Sequence, residues 1–277
     1  MLDRTIAQLP GHPGSPRVIA VANQKGGVGK TTTAVNLATA MAAIGERVLL
    51  IDLDSQGNAS TNLGVEASAR DTGSYALLLG QTSLYDTARA TDIPDLFLVP
   101  SDANLAGAEV EIATASYREF RLQQALHAAS EAGSPFTYVL IDCPPSLGLL
   151  TINALVAADA VLIPLQCEFF ALEGLSQLLQ TVERVRDSLN PRLGIIGIAL
   201  TMFDRRNRLT DQVADDVRDC LGELVFEAVI PRNVRLSEAP SHGMPALVYD
   251  NACSGSRAYI ALARELIGRF PQIRKAA

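Results

Sequence analysis

The chain has 277 residues, 48% of them hydrophobic and 19% charged, with a formal net charge of −7. Such a length suits one large domain or two small ones around a sizeable core, and no apolar run approaches the ~20 residues that a bilayer span requires. The excess of acid opposes general nucleic-acid binding, so any such binding has to come from a local basic patch.

The opening stretch, MLDRTIAQLPGHPGSP, lacks the apolar centre of a signal peptide. It reads as a flexible Pro/Gly-rich leader over residues 1–16, ahead of a single domain over 17–277. Five apolar runs follow: RVIAVAN (17–23), RVLLID (47–52), YVLID (138–142), AVLIPLQ (160–166) and LGIIGIALT (193–201). They are rich in Val, Ile and Leu and do not alternate with polar residues, the pattern of strands buried on both faces of a parallel sheet. A further strand is expected over Leu224–Ile230. Helical patterns cover 30–44, 103–130, 148–157, 170–188 and 208–221. A last helix covers 253–270, started near Ser254 or Ser256. Strands alternating with helices predict an α/β fold: a doubly wound, mostly parallel sheet flanked by helices, with right-handed crossovers. Active groups should then gather at the carboxyl ends of the strands.

The four cysteines, Cys143, Cys167, Cys220 and Cys253, show no CxxC spacing, which suits a reducing cytosol better than a disulfide framework. Of the 23 basic residues only Lys25, Lys30 and Lys275 are lysines. A chain that otherwise uses arginine keeps two lysines in one loop, NQKGGVGKTT (23–32), between the first strand and the first helix. Glycines there let the backbone turn its N–H groups towards phosphate oxygens, and the helix N-terminus adds partial positive charge. Gly26, Gly27, Val28 and Gly29 form the cradle. Lys30 is placed to reach the β- and γ-phosphates of a nucleotide, Thr31 to ligate Mg²⁺, and Thr32 to lie near the α-phosphate. The general phosphate-loop pattern fails at Gln24, and the match is instead K-G-G-x-G-K-T with an added lysine, Lys25.

In LLIDLDSQG the two carboxylates of Asp52 and Asp54 stand at i and i+2 of a strand end and share a face. One of them can instead cap the following turn. In YVLIDCPPS an apolar strand again ends in an acid, Asp142, the pattern of a residue that holds a Mg²⁺-bound water. Cys143 beside it reads as a small buried thiol rather than a cluster ligand.

These motifs, together with LAGAEVEI, IPLQCEFFALEGL and IPRNVRLSEAPSHG, resemble those of the deviant Walker A ATPases, and within them the ParA/Soj chromosome and plasmid partition proteins. The resemblance spans about residues 17–268. It implies an ATPase that uses ATP and Mg²⁺ and forms a homodimer when ATP-bound. Lys25 would then reach the nucleotide of the other subunit while Lys30 works in cis. Asp54 would orient the attacking water, and Asp52 would help to organise the water and Mg²⁺ surroundings. Pro231 and Asn233 become candidates for the adenine pocket, unless their segment is a simple packed turn.

Arginines cluster at Arg205, Arg206 and Arg208 and again at Arg232 and Arg235. Six arginines meet eight acids across 201–240, so one protomer alone should bind DNA weakly. Two protomers presenting one patch would bind better. By the resemblance, Arg206 and Arg235 are the first candidates for non-specific double-stranded DNA contact. Solvated pairing with nearby acids is the other reading. A ParB/Spo0J-type partner would stimulate hydrolysis, and the protein would be cytoplasmic and nucleoid-associated. The competing class, a MinD-like membrane-associated ATPase, needs a basic amphipathic helix after the core. Here Pro271 is expected to interrupt the last helix, and the apolar side of 258–270 (Tyr259, Leu262, Leu266, Phe270) reads as core packing. Positioning of a protein cluster by the same engine is a further alternative. A metabolic P-loop kinase or ligase would need an acceptor-binding insertion, and none is visible.

Overall fold

The computed structural model describes residues 14–168 and 171–276, the last six by backbone only. Residues 1–13 of the expected leader lie outside the described residues. Seven strands form one sheet: β1 (Arg17–Val21), β2 (Val48–Asp52), β3 (Arg89–Ala90), β4 (Leu96–Val99), β5 (Tyr138–Asp142), β6 (Ala160–Gln166) and β7 (Gly194–Thr201). Their spatial order is β3-β4-β2-β5-β1-β6-β7. All pairs are parallel except the short edge pair β3–β4.

The strands are apolar on both faces because both faces are covered. Along β1, Val18 and Ala20 enter one core, and Ile19 and Val21 enter the other. On the first face pack α3 (Ser74–Leu78), α5 (Leu105–Ile112), α6 (Arg121–Glu131), α7 (Leu149–Ala157) and α8 (Ala171–Ser188). On the second pack α1 (Lys30–Ala43) and α12 (Ser254–Ala276). Tyr259, Leu262, Leu266 and Phe270 of α12 are all buried there, as their spacing predicts.

Three expectations are corrected. The helix expected over 103–130 divides into α5 and α6. The break holds Tyr117 in the left-handed region (φ 57°), and buried Asn153 of α7 satisfies the freed backbone, accepting from the Leu122 N–H and donating to the Arg118 carbonyl. Leu224–Ile230 is not a regular strand. It carries one isolated bridge, Ile198 with Val225, and a second, Phe203 with Pro231, lies just beyond it, because the N–H groups of Glu227 and Ala228 go to the Glu265 carboxylate instead of a ladder. Pro271 does not end the last helix, whose backbone continues to Ala276. A proline removes one i→i−4 bond, and flanking turns can carry the helix past it. The sequence does not mark strands β3 and β4, which are two and four residues long.

The remaining helices are α2 (Asn58–Asn62), α4 (Leu84–Thr87), α9 (Arg208–Leu221), α10 (Val234–Glu238) and α11 (Ala246–Tyr249). Among the described residues no helix is long and apolar enough to cross a membrane.

Candidate functional site

The loop between β1 and α1 turns through Gly27 (φ 77°) and Gly29 (φ 85°), both left-handed, where a side chain would be strained. Gly29 is also the N-cap of α1, so the helix opens directly on the loop. Side chains from two neighbouring strands pin it. The Asn23 amide donates to the Pro164 carbonyl on β6 (2.7 Å) and accepts from the Lys25 N–H (3.0 Å). The Thr201 hydroxyl, at the end of β7, donates to the Val28 carbonyl (2.8 Å). Asn23 and Thr201 were not singled out in the sequence. Asn23 lies inside the motif, but its tie to β6 is a contact across 141 residues that spacing cannot reveal.

The two lysines are treated differently. Lys30 is buried, and its ammonium donates back across the loop to the Lys25 carbonyl (2.9 Å). Burial lowers its pKa; Asp142, Cys143 and Asp54 pull in the other direction. Lys25 points outward, its side chain 39% exposed, and pairs with Glu168, just after β6. Thr31 and Thr32 sit half-buried on the first turn of α1.

Parallel pairing sets the acids. Asp52 on β2 stands in register with Asp142 on β5, and Asp142 with Val21 on β1. The acids are therefore carried to the strand ends beside the loop. Both Asp142 oxygens are buried without a hydrogen-bond partner among the described residues. Burial first, and Asp52 second, raise its pKa well above the ordinary carboxylate range; the Thr31 hydroxyl and Lys30 oppose this in part. A buried carboxylate with open lone pairs, next to a hydroxyl and an ammonium, is a donor set that suits a hydrated divalent cation and a phosphate.

Asp52 differs. Its Oδ2 accepts from the N–H (2.9 Å) and hydroxyl (2.7 Å) of Ser60, and its Oδ1 from the Asp54 N–H (3.2 Å). Burial raises its pKa to about 6, with the Ser60 bonds holding it down. The capping reading of this residue thus has direct support: Asp52 braces the turn that follows it. Asp54 lies further out, and its Oδ1 accepts from the Gln56 N–H (3.0 Å). Cys143 is buried, and burial pushes its thiol pKa up strongly, which keeps it neutral.

Beside the N-terminus of α1 a cavity of ≈ 270 Å³ is lined by Gly29, Thr32, Thr201, Pro231, Asn233 and Tyr259, among others. Pro231 and Asn233 are thus brought to the loop. The Asn233 side chain is already engaged: it caps α10 by accepting from the Arg235 N–H (2.8 Å) and donates to Ser254 (2.8 Å).

The two arginine clusters are joined by the Phe203–Pro231 bridge, with the Arg232 N–H donating to the Phe203 carbonyl (3.0 Å). Arg205, Arg206, Arg208, Arg232 and Arg235 are all exposed. The two first candidates are paired within the chain. Arg206 grips Asp204 (2.8 Å) and holds that carboxyl down to about 2. Arg235 grips Glu238 (2.8 Å), approaches Asp250 (3.5 Å) and lies over the Tyr249 ring.

A family model described as an AAA domain matches residues 16–195. Among curated relatives, the chromosome partitioning protein ParA of Caulobacter vibrioides (strain NA1000 / CB15N) is 61% identical over 253 residues, covering 91% of this chain and 94% of that protein. The sporulation initiation inhibitor protein Soj of Bacillus subtilis (strain 168) is 50% identical over 250 residues, 90% of this chain and 98% of that one. Among solved structures, cobyrinic acid a,c-diamide synthase from Mycobacterium smegmatis, with a bound ATP analogue and magnesium, matches with a TM-score of 0.79 at 37% identity, covering 92% of this chain and 96% of its own. With a two-lysine phosphate loop, acids at the ends of β2 and β5 and relatives of this identity over nine-tenths of its length, the chain belongs to the ParA/Soj family of chromosome-partitioning ATPases.

Proposed function

We propose that ATP and Mg²⁺ drive this ATPase into a nucleotide-sandwich homodimer that binds double-stranded DNA without sequence preference. Hydrolysis, stimulated by a ParB/Spo0J-type partner, returns it to the weak-binding state. One observation carries the reading: Lys30 is buried over its own loop, whereas Lys25 projects outward from the same loop onto an exposed acid. A cation held at the mouth of the site is placed to serve a nucleotide in a second protomer. It helps only once the dimer forms, which links nucleotide occupancy to association.

Within one protomer the backbone of Gly26 to Gly29 and the N-terminus of α1 hold phosphate. Thr31 would ligate Mg²⁺ directly and Asp142 through water. The ion supplies charge neutralisation during phosphoryl transfer. Asp54 orients the attacking water, and Asp52 fixes the turn that carries Asp54. Pro231 and the cavity beside it receive the base. The exposed arginines of the two clusters, doubled by the dimer, form the DNA patch.

The test is Lys25→Ala, with self-association followed by light scattering under ATP, ADP and no nucleotide. The variant should lose ATP-induced dimerisation. Wild-type dimerisation and turnover would remove the trans role of Lys25. In parallel, the unmodified protein is offered random-sequence duplex DNA and anionic liposomes at low and moderate salt. ATP-dependent, salt-sensitive DNA retention without liposome binding supports the reading; liposome binding without DNA binding overturns its cargo surface.

A further inference from the structure

Arg70 is a buried cation, 8% exposed, that forms no ion pair with a carboxylate among the described residues. Among the described residues its guanidinium bonds only to neutral oxygens. Nε and Nη2 donate to the Val65 carbonyl (3.1 and 2.6 Å), Nη2 to the Thr61 hydroxyl (2.7 Å) and Nη1 to the Ser101 carbonyl (3.2 Å). Burial lowers its pKa, and Asp52 is the largest opposing charge. A buried cation that gains no ion pair is costly to keep. A role in geometry offsets that cost better than a role in charge balance.

The geometry converges on one turn. The Gly57 N–H donates to the Asp54 carbonyl (2.8 Å) and closes the turn that carries Asp54. Gly57 then starts α2 at φ 61°, with the Arg70 fork directly beneath it: a Cβ on Gly57 would stand 2.0 Å from Nη1. The fork also ties α2 through Thr61 and the segment just after β4 through Ser101. From Ser101 the network returns to the site. The Ser101 N–H donates to the Ser60 hydroxyl (3.0 Å), which donates to Asp52. Asp52 therefore braces the segment from Asp54 to Thr61 by accepting from Asp54 and Ser60, and Arg70 braces it by packing under Gly57 and donating to Thr61.

We infer that Arg70 is a positioning residue for hydrolysis: it fixes the Asp54–Gly57 turn so that the Asp54 carboxylate is held where the attacking water must be oriented. Its action passes through that turn. The inference rests on the proposed role of Asp54. Lysine keeps the charge but lacks the planar fork, so it cannot reach Val65, Thr61 and Ser101 together.

The test measures ATP affinity, turnover at saturating ATP and melting temperature for Arg70→Lys, Gly57→Ala and Asp54→Ala in the full-length protein. Arg70→Lys should lower turnover about tenfold or more, the cost of a misplaced reacting group, while ATP affinity stays within about twofold of the parent. Gly57→Ala, which displaces the fork with Arg70 present, should reproduce the same split. In Asp54→Ala, adding Arg70→Lys should cost no further turnover, since both changes remove one function. Arg70→Lys with parental turnover overturns the inference. So does a parallel loss of affinity, turnover and melting temperature in both Arg70→Lys and Gly57→Ala, which marks a merely structural residue. If Asp54→Ala itself hydrolyses at the parental rate, the failure belongs to the proposed role of Asp54.

Discussion

In the phosphate loop, Lys30 is buried near Asp142 and Asp54, yet its hydrogen bond goes to a backbone carbonyl. On the arginine rim, Arg206 and Arg235 are exposed, and each grips an acid of its own chain. The loop leaves the end of β1, and Arg206 follows the end of β7 in the same sheet. The difference lies in solvent. A buried cation and a buried carboxylate left incompletely paired are costly, and that arrangement favours a ligand that completes them. An exposed arginine on an acid gains little from the pair and can exchange it readily. The first region is built to recognise a defined group, and the second to meet many equivalent ones.

The comparison breaks most sharply at Lys30. Lys30→Ala removes the buried cation and leaves the acids without it, so ATP affinity should fall on the order of a hundredfold, the scale of a truncated buried charge partner. Calorimetric titration with ATP and Mg²⁺ measures it. A change of less than about threefold would put Lys30 in the same class as the rim arginines.

Much of the site was legible because it is local. Loop, strand ends and acids lie in short runs whose spacing already carries the geometry, and the register of Asp52 with Asp142 completes it. What the sequence does not show depends on distant partners. Asn23 and Thr201 are unremarkable until β6 and β7 lie beside the loop. Arg70 gave no signal, since an arginine in a polar stretch reads as a surface charge until its burial is known. The fold behaved similarly. The long buried strands stand out by composition, whereas β4 is only four residues and β3 two. Leu224–Ile230 has a strand's composition, but Glu265 takes its donors. The basic clusters were visible as charges. Their pairing with Asp204, Glu238 and Asp250 was an open alternative, and the structure shows it for Arg206 and Arg235.

Arg235→Glu sharpens the other side of the comparison. DNA affinity of the ATP-bound protein should fall at low salt, and the slope of log affinity against log salt should shrink by about 1 or more for each lost phosphate contact. ATP affinity and ATP-induced dimerisation should stay at parental values, because Arg235 stacks on Tyr249 at the surface and does not enter the phosphate loop. An unchanged salt slope would exclude Arg235 from the patch. A loss of ATP binding would mean that the rim and the cavity beside Pro231 act as one site.

The smallest effect is expected where the two regimes meet, at the exposed pair of Lys25 with Glu168. The loop of Lys25 is rigid and phosphate-binding, but the Lys25 ammonium is exposed and paired with Glu168 like a rim arginine. If Lys25 must leave Glu168 to serve a second protomer, the pair stabilises the protomer that has not yet dimerised. Glu168→Gln removes that stabilisation and keeps the side chain's size. The ATP concentration for half-maximal dimerisation should then fall, by no more than about fivefold, since an exposed pair contributes little. The shift should vanish in high salt, which screens the pair in the parent protein as well. A rise in the required ATP would reverse the assignment: Glu168 would then favour the dimer, and the contact seen in the single chain would not be the one that Lys25 has to give up.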